Sequence, residues 1–422
     1  MGRIYIDDAK AGEDVVFKGW VERVKELGKM NFLVLRDRSG SIQITAKKGE
    51  VPDNVLDMIP KLNRETCIAV NGKVVESKFA KSGIEMIPTE ITIVGNAETP
   101  LPLDFSGKID SEKDTRFNYR YMDLRNNETQ KIFHIRSRII QLFREYFVKE
   151  GFIEIHTPVI QAAGAEGGST LFKFDYYGKE AYLRQSPQLY KQMMMASGLD
   201  RIFEIGQVFR AEKFHTRRHL SEYLSTDFEM AWINDENDVM EMLEGMVKYT
   251  FEGLKKDGLD VTVPDYKFPR LTYTEILEML KKEGIDLEWG EDLGDPQEAK
   301  LGEIMEKQGK DWYFITKYPS KIKPFYIMLE DKLSRGLDLD YKGMEMASGG
   351  QREHRFDVLV KVMKEKGLNP EDFTFYTDAF RWGMPPHGGI GFGTERLVMQ
   401  ILKLANVQEA ILYPRTPDML TP

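Results

Sequence analysis

The sequence predicts an α+β protein with two domains, a small β-barrel followed by a larger domain of mixed strands and helices. The chain has 422 residues, which exceeds the size of most single hydrophobic cores. Its first hundred residues contain short strand-like runs, and from Lys131 apolar residues recur at helical spacing. We therefore place a barrel at residues 1–102, a linker at 103–130 and the larger domain at 131–422.

The N-terminal domain contains five or six apolar, β-branched runs separated by turn residues and one helix-like run. In chain order they are VVFKGWV at 15–21, NFLVLRD at 31–37, SIQIT at 41–45, the helix-like NVLDMIPKL at 54–62, CIAVNGKVV at 67–75, IEMI at 84–87 and ITIV at 91–94. Strand-strand-strand-helix-strand-strand is the order of the five-stranded OB β-barrel, which commonly binds single-stranded nucleic acid.

A small basic cluster accompanies an aromatic residue in this barrel. Arg23, Lys25 and Lys29 precede Phe32, and Gln43 follows on the next predicted strand. An aromatic face for stacking and an amide for contacting base edges would suit unpaired bases. In the alternative, Phe32 belongs to the core and the lysines lie in a solvated loop.

The second domain begins with a predicted amphipathic helix. Its apolar positions, spaced by three and four, are Ile132, Ile135, Ile139, Leu142, Phe143 and Phe147. The run FIEIHTPVI then predicts a strand, and Pro158 places that strand at an edge or an interface because proline cannot donate to a ladder.

Composition narrows the class of protein. The sequence has no apolar run of roughly 20 residues and no N-terminal secretion signal, so we expect a cytoplasmic protein without a membrane span. The single cysteine, Cys67, rules out an internal disulfide framework or a Cys-rich metal site. The net charge of −9 argues against a protein that simply coats nucleic acid.

The segment FRAEKFHTRRHLSEYLSTDFE at 209–229 predicts a long hairpin with charged strands. Alternation places Arg210 and Glu212 on one face of the first strand, and Asp227 and Glu229 on one face of the second, with Ser225. Carboxylates on the inner face of a sheet require a cation, a metal or a charged ligand. An internally paired ionic hairpin is the alternative.

The turn of this hairpin holds Arg217, Arg218 and His219, which can reach an anionic ligand on the sheet. A predicted helix in RQSPQLYKQMMMASG at 184–198 presents Gln188 and Lys191 on one face. That face offers an amide and a cation to a small ligand. The alternative is a surface lysine above a Met-rich core side.

Two glycine-rich segments follow. In DLDYKGMEMASGGQREHRFD at 338–357, Asp338, Glu345 and Ser348 supply hard oxygen ligands for Mg²⁺, and Arg352 can fork onto a carboxylate. A glycine turn with a salt-bridged arginine is the alternative. In PPHGGIGFGTERLVMQIL at 385–402, Arg396 falls in the first turn of a helix, so an anionic or aromatic group should lie beside it. Walker, dinucleotide-binding and His-Glu-x-x-His patterns are absent from the sequence.

Glu166 lies between glycines in AAGAEGGSTLF, where it belongs either to a lid that closes over an amine or to an ordinary surface turn.

Taken together, these segments resemble the class II aminoacyl-tRNA synthetases, and specifically the archaeal and eukaryotic type of aspartyl-tRNA synthetase. The helix with HTPVI resembles the first family motif, FRAE to DFE the second and GIGFGTER the third. QSPQLYKQ favours the aspartyl branch over asparaginyl and lysyl relatives. SGGQREHRFD and LYPRTPDMLTP are typical of archaeal-type members. The likeness covers nearly the whole chain.

The resemblance implies an OB domain that binds the anticodon, an antiparallel catalytic sheet flanked by helices, and a homodimer formed through the Pro158 region. It implies ATP, L-aspartate and tRNA(Asp) as substrates, with Mg²⁺ as cofactor. Whether tRNA(Asn) is also charged depends on a few OB positions near Glu22 and Lys81, and the sequence leaves this open. Asparagine should be rejected because its neutral amide leaves Lys191 and Arg352 without a counter-charge.

Residue roles follow from the same motif positions. Those implied for ATP are Arg210, Glu212, Arg218, His219, Tyr223, Glu345 and Arg396, with Arg210, Glu212 and Arg396 as the catalytic set. Those implied for aspartate are Glu166, Gln188, Lys191, Asp227, Ser348 and Arg352, and those for Mg²⁺ are Asp338, Glu345 and Ser348. Phe32 and Gln43 match anticodon-binding positions, beside Arg23.

Three other interpretations remain open at this point. An asparaginyl-tRNA synthetase shares all three motifs. An asparagine-forming amidoligase would activate aspartate and pass it to ammonia, although it would need no anticodon-binding domain. A catalytically silent nucleic-acid-binding protein would show no ATP turnover.

Overall fold

The structure is a computed structural model that describes residues 2–80, 82–107, 111–162, 171–212 and 216–422. The chain divides into two compact units, Met1–Asp104 and Phe105–Pro422. None of the helices in the described ranges combines the length and the apolar character needed to cross a lipid bilayer.

The first unit is a closed barrel with the strand order β1-β2-β3-β5-β4. Its elements are β1 (Asp14–Leu27), β2 (Met30–Arg36), β3 (Ser41–Lys47), α1 (Asp53–Met58), β4 (Cys67–Glu76) and β5 (Ile84–Gly95). Alternation along β2 buries Leu33 and Leu35 in the barrel core and leaves Phe32 half-buried on the other face. The predicted OB order is confirmed, and the IEMI and ITIV runs form one strand.

The second unit is built around one large sheet. The strands of the unit, five of which form two smaller sheets, are β6 (Ile153–Glu154), β7 (Ile160–Gln161), β8 (Lys173–Tyr176), β9 (Lys179–Leu183), β10 (Arg201–Phe209), β11 (Glu222–Ala231), β12 (Arg270–Thr272), β13 (Trp312–Thr316), β14 (Leu329–Glu330), β15 (Leu333–Ser334), β16 (Gly336–Tyr341), β17 (Glu345–Gln351) and β18 (His387–Gly393). Within the described ranges, the large sheet has the order β12-β13-β16-β17-β18-β11-β10-β6. It is antiparallel except for one parallel pair at each edge, β12 with β13 and β6 with β10.

Helices cover this sheet and fill the connections. They are α2 (Lys113–Asn118), α3 (Arg120–Asp123), α4 (Asn127–Lys149), α5 (Gln188–Met195), α6 (Glu236–Lys256), α7 (Tyr273–Lys282), α8 (Asp295–Lys307), α9 (Phe356–Glu365), α10 (Thr374–Arg381) and α11 (Thr394–Leu402). Short 3-10 turns occur at Ile6–Asp8, Ile59–Lys61, Pro370–Phe373 and Val407–Ala410.

Alternation along β11 separates the core from the candidate site. Phe228 and Met230 belong to the core cluster that includes α4, α6 and α11. The intervening Asp227 and Glu229 therefore face the opposite side of the sheet. All of the apolar positions predicted for α4 are buried, which confirms that helix.

The structure differs from the predicted linker. Residues 113–123 form α2 and α3 and belong to the second unit, where Arg116 pairs with the Glu409 carboxylate at 3.0 Å. Arg120 donates to the Glu409 backbone oxygen at 2.9 Å. No helical pattern is recognisable here because α2 and α3 are too short to show a repeated apolar period.

Candidate active site

A cleft of about 270 Å³ opens on the Asp227 face of the large sheet. Its walls come from the end of β10, the start of α5, and from β11, β17, β18 and α11. The cleft brings together most of the residues predicted to bind ligands: Gln188, Arg210, Arg218, His219, Tyr223, Asp227, Glu345, Ser348, Arg352 and Arg396. The hairpin, the helix and both glycine-rich segments therefore converge on one site.

Lys191 lies at the deep end of the cleft, fully buried beneath its lining. Its Nζ donates to Asp227 Oδ1 at 2.9 Å and to the Ile390 backbone oxygen at 2.9 Å, and lies 3.5 Å from Glu229 Oε2. The alternative of a surface lysine is therefore wrong. The helix α5 points this cation at the sheet because Gln188 and Lys191 share its buried face.

Arg352 is also buried and is fixed from several sides. Its Nε donates to Glu229 Oε1 at 2.9 Å, and its Nη2 donates to Gln188 Oε1 at 3.1 Å and to the Gly389 backbone oxygen at 2.9 Å. Burial alone would raise the pKa of Glu229, but Arg352 and Lys191 outweigh it and hold that pKa below its usual range. Arg352 is thus both salt-bridged and part of the cleft wall.

Glu229 is a site residue that the sequence analysis did not assign. Its position two residues after Asp227 on β11 was the available signal. A side chain at Gly389, across the β11–β18 ladder, would overlap the Glu229 carboxylate and the Phe228 carbonyl oxygen. The glycine at this position therefore makes room for Glu229.

These ion pairs correct the expected basis for rejecting asparagine. Lys191 and Arg352 are already balanced by Asp227 and Glu229, so an amide ligand would not leave these two cations without counter-charges. Any ligand side chain that reached these two cations would share them with Asp227 and Glu229.

The outer end of the cleft holds cations with carboxylate partners. Arg396 donates to the Glu345 backbone oxygen at 2.9 Å and to its Oε1 at 3.1 Å. The anion expected beside the first turn of α11 is therefore Glu345. The Arg210 guanidinium lies 5.8 Å from the centre of the Tyr223 ring, within cation–π range.

Arg218 forms ion pairs with Glu298 and Asp295, both in the first turns of α8. This contact was not predictable from the local sequence because α8 belongs to a distant segment. His219 follows Arg218 and is half-buried. Burial, together with Arg396 and Arg218, lowers the pKa of His219 to about 4, so its imidazole is neutral at physiological pH.

The predicted Mg²⁺ ligands lie on neighbouring strands. Asp338 on β16 is the ladder partner of Ser348 on β17. Glu345 and Ser348 line the cleft, whereas Asp338 is buried and accepts hydrogen bonds from Lys323 Nζ at 2.9 and 2.8 Å. Within the described part of the chain, three or more His, Cys, Asp or Glu side chains do not come together as a metal site.

Glu212 lines a small adjoining pocket with Arg210 and His219. The strand β10 ends at Phe209, so the prediction that Arg210 and Glu212 alternate within a strand is wrong. Glu166 and Lys81 fall outside the described residues.

A family model for tRNA synthetases class II (D, K and N) matches residues 112–417, which include the whole cleft. The chain belongs to this family. A model for the OB-fold nucleic acid binding domain matches residues 15–94 of the same synthetase.

Relatives of this class II synthetase cover its full length. The aspartate–tRNA(Asp) ligase of Pyrococcus abyssi is 49% identical over 97% of each chain. The aspartate–tRNA(Asp/Asn) ligase of Methanopyrus kandleri is 46% identical over 97% of this chain and 96% of its own. The crystal structure of Pyrococcus horikoshii asparaginyl-tRNA synthetase with asparaginyl-adenylate is similar with a TM-score of 0.93 at 32% identity, covering 100% of both chains.

The barrel of the synthetase brings Arg23, Phe32 and Gln43 to one face. Arg23 on β1 pairs in register with Val34 on β2, which pairs with Gln43 on β3. Phe32 lies two residues from Val34 and therefore on the same face. Phe32 is not part of the barrel core cluster, so the core alternative is wrong.

The orientation of Gln43 is set by a neighbour that the sequence analysis missed. Gln43 Nε2 donates to Glu85 Oε2 at 2.9 Å and to Thr45 Oγ1 at 3.2 Å. Glu22 lies at the irregular position of β1, where the register with β2 shifts, and it accepts a hydrogen bond from Ser41 Oγ at 2.9 Å. Arg23, Phe32 and Gln43 thus share one surface, with Glu85 fixing the amide.

Proposed function

We propose that this class II synthetase is an aspartate–tRNA ligase, which activates L-aspartate with ATP and transfers the aspartyl group to tRNA(Asp). The observation that carries the proposal is the buried set of Lys191, Arg352, Asp227 and Glu229. In our proposal Arg352 and Lys191 share their charge with the side-chain carboxylate of aspartate, an anion that a neutral amide side chain does not supply. Full-length relatives named as aspartate–tRNA ligases support the same substrate.

Activation requires the aspartate α-carboxylate and the ATP α-phosphate to meet in line. In our proposal Arg210 holds the α-phosphate, while Arg218, His219 and Arg396 contact the outer phosphates or the adenine. Tyr223 stacks on the adenine. The bond from the α-phosphorus to the attacking carboxylate oxygen forms as the bond to pyrophosphate breaks. Positioning and charge stabilisation lower this barrier, and no general base is needed because a carboxylate is already the nucleophile.

The second step consumes the aspartyl-adenylate that activation produces. The terminal ribose hydroxyl of the tRNA attacks the aspartyl carbonyl carbon, and AMP leaves. We propose that Arg23, Phe32 and Gln43 bind the unpaired anticodon, since stacking and amide hydrogen bonds suit exposed bases. Relatives include ligases named for tRNA(Asp) alone and for both tRNA(Asp) and tRNA(Asn). Charging of tRNA(Asn) is thus an open alternative.

Mg²⁺ commonly binds proteins through one or two carboxylates together with phosphate oxygens. Glu345 and Ser348 line the cleft, and Asp338 faces Ser348 across the ladder, so these oxygen donors fit that ion. We propose that they hold Mg²⁺ together with ATP. When bound, the ion supplies positive charge against the triphosphate. Lys323 would then give up its present contact with Asp338.

We also propose a homodimer formed through the segment around Pro158. The exposed apolar side chains of Ile153, Val159 and Ile160 support this proposal because such side chains commonly mark an interface. A cytoplasmic location stays a prediction from the sequence.

The test is amino-acid-dependent exchange of pyrophosphate into ATP. We expect exchange with aspartate and at least about 100-fold less at equal asparagine concentration, because a neutral amide offers the buried Arg352 and Lys191 no additional anion. Charging of purified tRNA(Asp) and tRNA(Asn) completes the experiment. Exchange that prefers asparagine would identify an asparaginyl-tRNA synthetase, the second candidate, which the structural likeness to the Pyrococcus horikoshii enzyme favours. Aspartate exchange followed by transfer to ammonia, with neither tRNA charged, would indicate an amidoligase.

A further inference from the structure

Gln185 presents a buried amide with unused hydrogen-bonding capacity. The residue lies between β9 and α5 and is 2% exposed. Neither its Oε1 nor its Nε2 has a hydrogen-bond partner among the residues that the structure describes. Burying an unpaired amide is unfavourable, so such a group calls for an explanation.

The surrounding backbone directs Gln185 toward the cleft. The preceding residue, Arg184, accepts from the Phe209 amide at 2.9 Å, which places this segment beside the end of β10. The Arg184 side chain contacts Glu204 and Thr157, neither of which lines the cleft. Gln185, the next residue, does line the cleft.

Gln185 therefore lies near both ends of the site. Its segment runs beside Phe209, the residue before Arg210 at the nucleotide end. Three residues later, Gln188 bonds Arg352 at the amino-acid end. The Gln188 Nε2 likewise has no partner among the described residues. The junction between these ends is where the reacting carboxylate must lie.

A side-chain amide has one donor group and one acceptor atom, which distinguishes between the charged ligand groups that Gln185 would meet in this cleft. Phosphates and an ionised side-chain carboxylate offer only acceptors, which would leave Gln185 Oε1 unpaired. The α-carbon end of an amino acid offers both an ammonium donor and a carboxylate acceptor. We propose that Gln185 binds this zwitterionic end, its Oε1 accepting from the α-ammonium and its Nε2 donating to the α-carboxylate. This inference rests on the proposed function and adds a binding residue common to any amino acid substrate.

The test is Gln185→Met, which keeps the side-chain length and removes both polar atoms. We expect the KM for aspartate in pyrophosphate exchange to rise about tenfold or more, the loss typical of a hydrogen bond to a charged group, while the KM for ATP changes less than about twofold. Inhibition by succinate, which lacks the α-ammonium, should weaken less than aspartate binding. Thermal stability should stay the same or rise, because an unpaired buried amide has been removed.

Gln192→Met is the matched control. Gln192 is equally buried, but its Oε1 accepts from the Tyr376 hydroxyl at 2.8 Å, and the residue does not line the cleft. We expect this control to lose thermal stability and to keep the aspartate KM within about twofold, since a structural hydrogen bond is broken and no ligand contact is lost. A Gln185→Asn variant, which shortens the amide, gives the same kinetic comparison if the Met variant does not fold.

The outcomes separate this inference from the proposed function. An unchanged aspartate KM in the folded Gln185 variants, or equal losses for aspartate and succinate, would overturn the inference while leaving aspartate activation intact. A loss of stability without a change in KM would assign Gln185 a structural role and overturn it as well. Absence of aspartate-dependent exchange in the wild-type protein would overturn both.

Discussion

The two ends of the cleft use the same kinds of charged residues in different surroundings. At the deep end the side chains of Lys191 and Arg352 are 0% and 2% exposed, and their carboxylate partners are equally buried. At the outer end the side chains of Arg218 and Arg396 are 12% and 20% exposed. The exposure of their partners ranges from 9% at Glu298 through 37% at Glu345 to 50% at Asp295.

This difference in burial suits the two ends of the cleft to different tasks. In a dry, low-dielectric site an uncompensated charge costs several kcal/mol, so the deep end can select a ligand by charge. Ion pairs near solvent contribute roughly 0–1 kcal/mol, so the outer end can exchange its protein carboxylates for phosphates at little cost. The deep end is fixed in advance, and the outer end is held by partners that a ligand can replace.

The largest expected effect comes from removing one partner of a buried ion pair at the deep end. Arg352→Ala should abolish aspartate-dependent pyrophosphate exchange while ATP binding, measured by calorimetry, survives. The variant should also lose roughly 3–5 kcal/mol of stability, because the buried Glu229 carboxylate loses its main counter-charge and keeps only the Lys191 ammonium at 3.5 Å.

The double variant Arg352→Ala with Glu229→Gln separates folding from recognition. Removing both charges should restore much of the stability without restoring exchange. Exchange that persists at ordinary aspartate concentrations in the folded double variant would contradict the role given to Arg352.

Two histidines extend the comparison to pH. His387 is fully buried beside the deep end, and burial lowers its pKa to about 4, although Glu229 acts in the opposite direction. A histidine whose pKa is depressed in the folded state stabilises the fold above the unfolded pKa of about 6.5 and loses that contribution as pH falls toward 4. Between pH 6.5 and 5 this loss should reach about 1.5 kcal/mol for His387.

The measurement is chemical denaturation of the wild type and of His387→Asn at both pH values. The Asn amide can keep the hydrogen bond to the Pro385 oxygen, which His387 Nδ1 makes at 2.8 Å. Carboxylates are common to both proteins, so the difference isolates the imidazole. The pKa of His219 is lowered to the same value, but its imidazole is only half-buried, so solvent screening should make the part of the pH dependence removed by His219→Asn smaller. A larger effect at His219 would reverse the ranking of the two ends.

Sequence patterns predicted the fold where a period is long enough to be recognised. The spacing of apolar residues in α4 and the order of elements in the barrel both identified elements that the structure contains. They did not identify α2 and α3, which are too short for a period. They also extended β10 beyond Phe209 because alternation does not reveal where pairing stops.

The sequence predicted which residues form the site better than it predicted which of them pair with one another. Cations and carboxylates in the family motifs do meet in one cleft, as spacing and resemblance indicated. Arg352 and its partner Glu229 are 123 residues apart, however, and only the packing of β11, β17 and β18 brings them together. The contact of Arg218 with Glu298 likewise depends on where α8 packs. Nothing in the local sequence around Gln185 indicates that its side chain is buried.

The smallest expected effect lies at the outer end, in Glu298→Gln. Arg218 is held by Glu298, whose pKa burial raises despite the nearby guanidinium. In the function that we propose, ATP phosphates would compete with this carboxylate for Arg218. Removing its charge should lower the KM for ATP by about threefold to fivefold, equivalent to about 1 kcal/mol, and leave the KM for aspartate unchanged. Asp295→Asn, which alters the more exposed partner of Arg218, should change the ATP KM less. A rise in the ATP KM for Glu298→Gln would show instead that Glu298 holds Arg218 in the position that binds ATP. The outer end would then be preorganised by its ion pairs, as the deep end is.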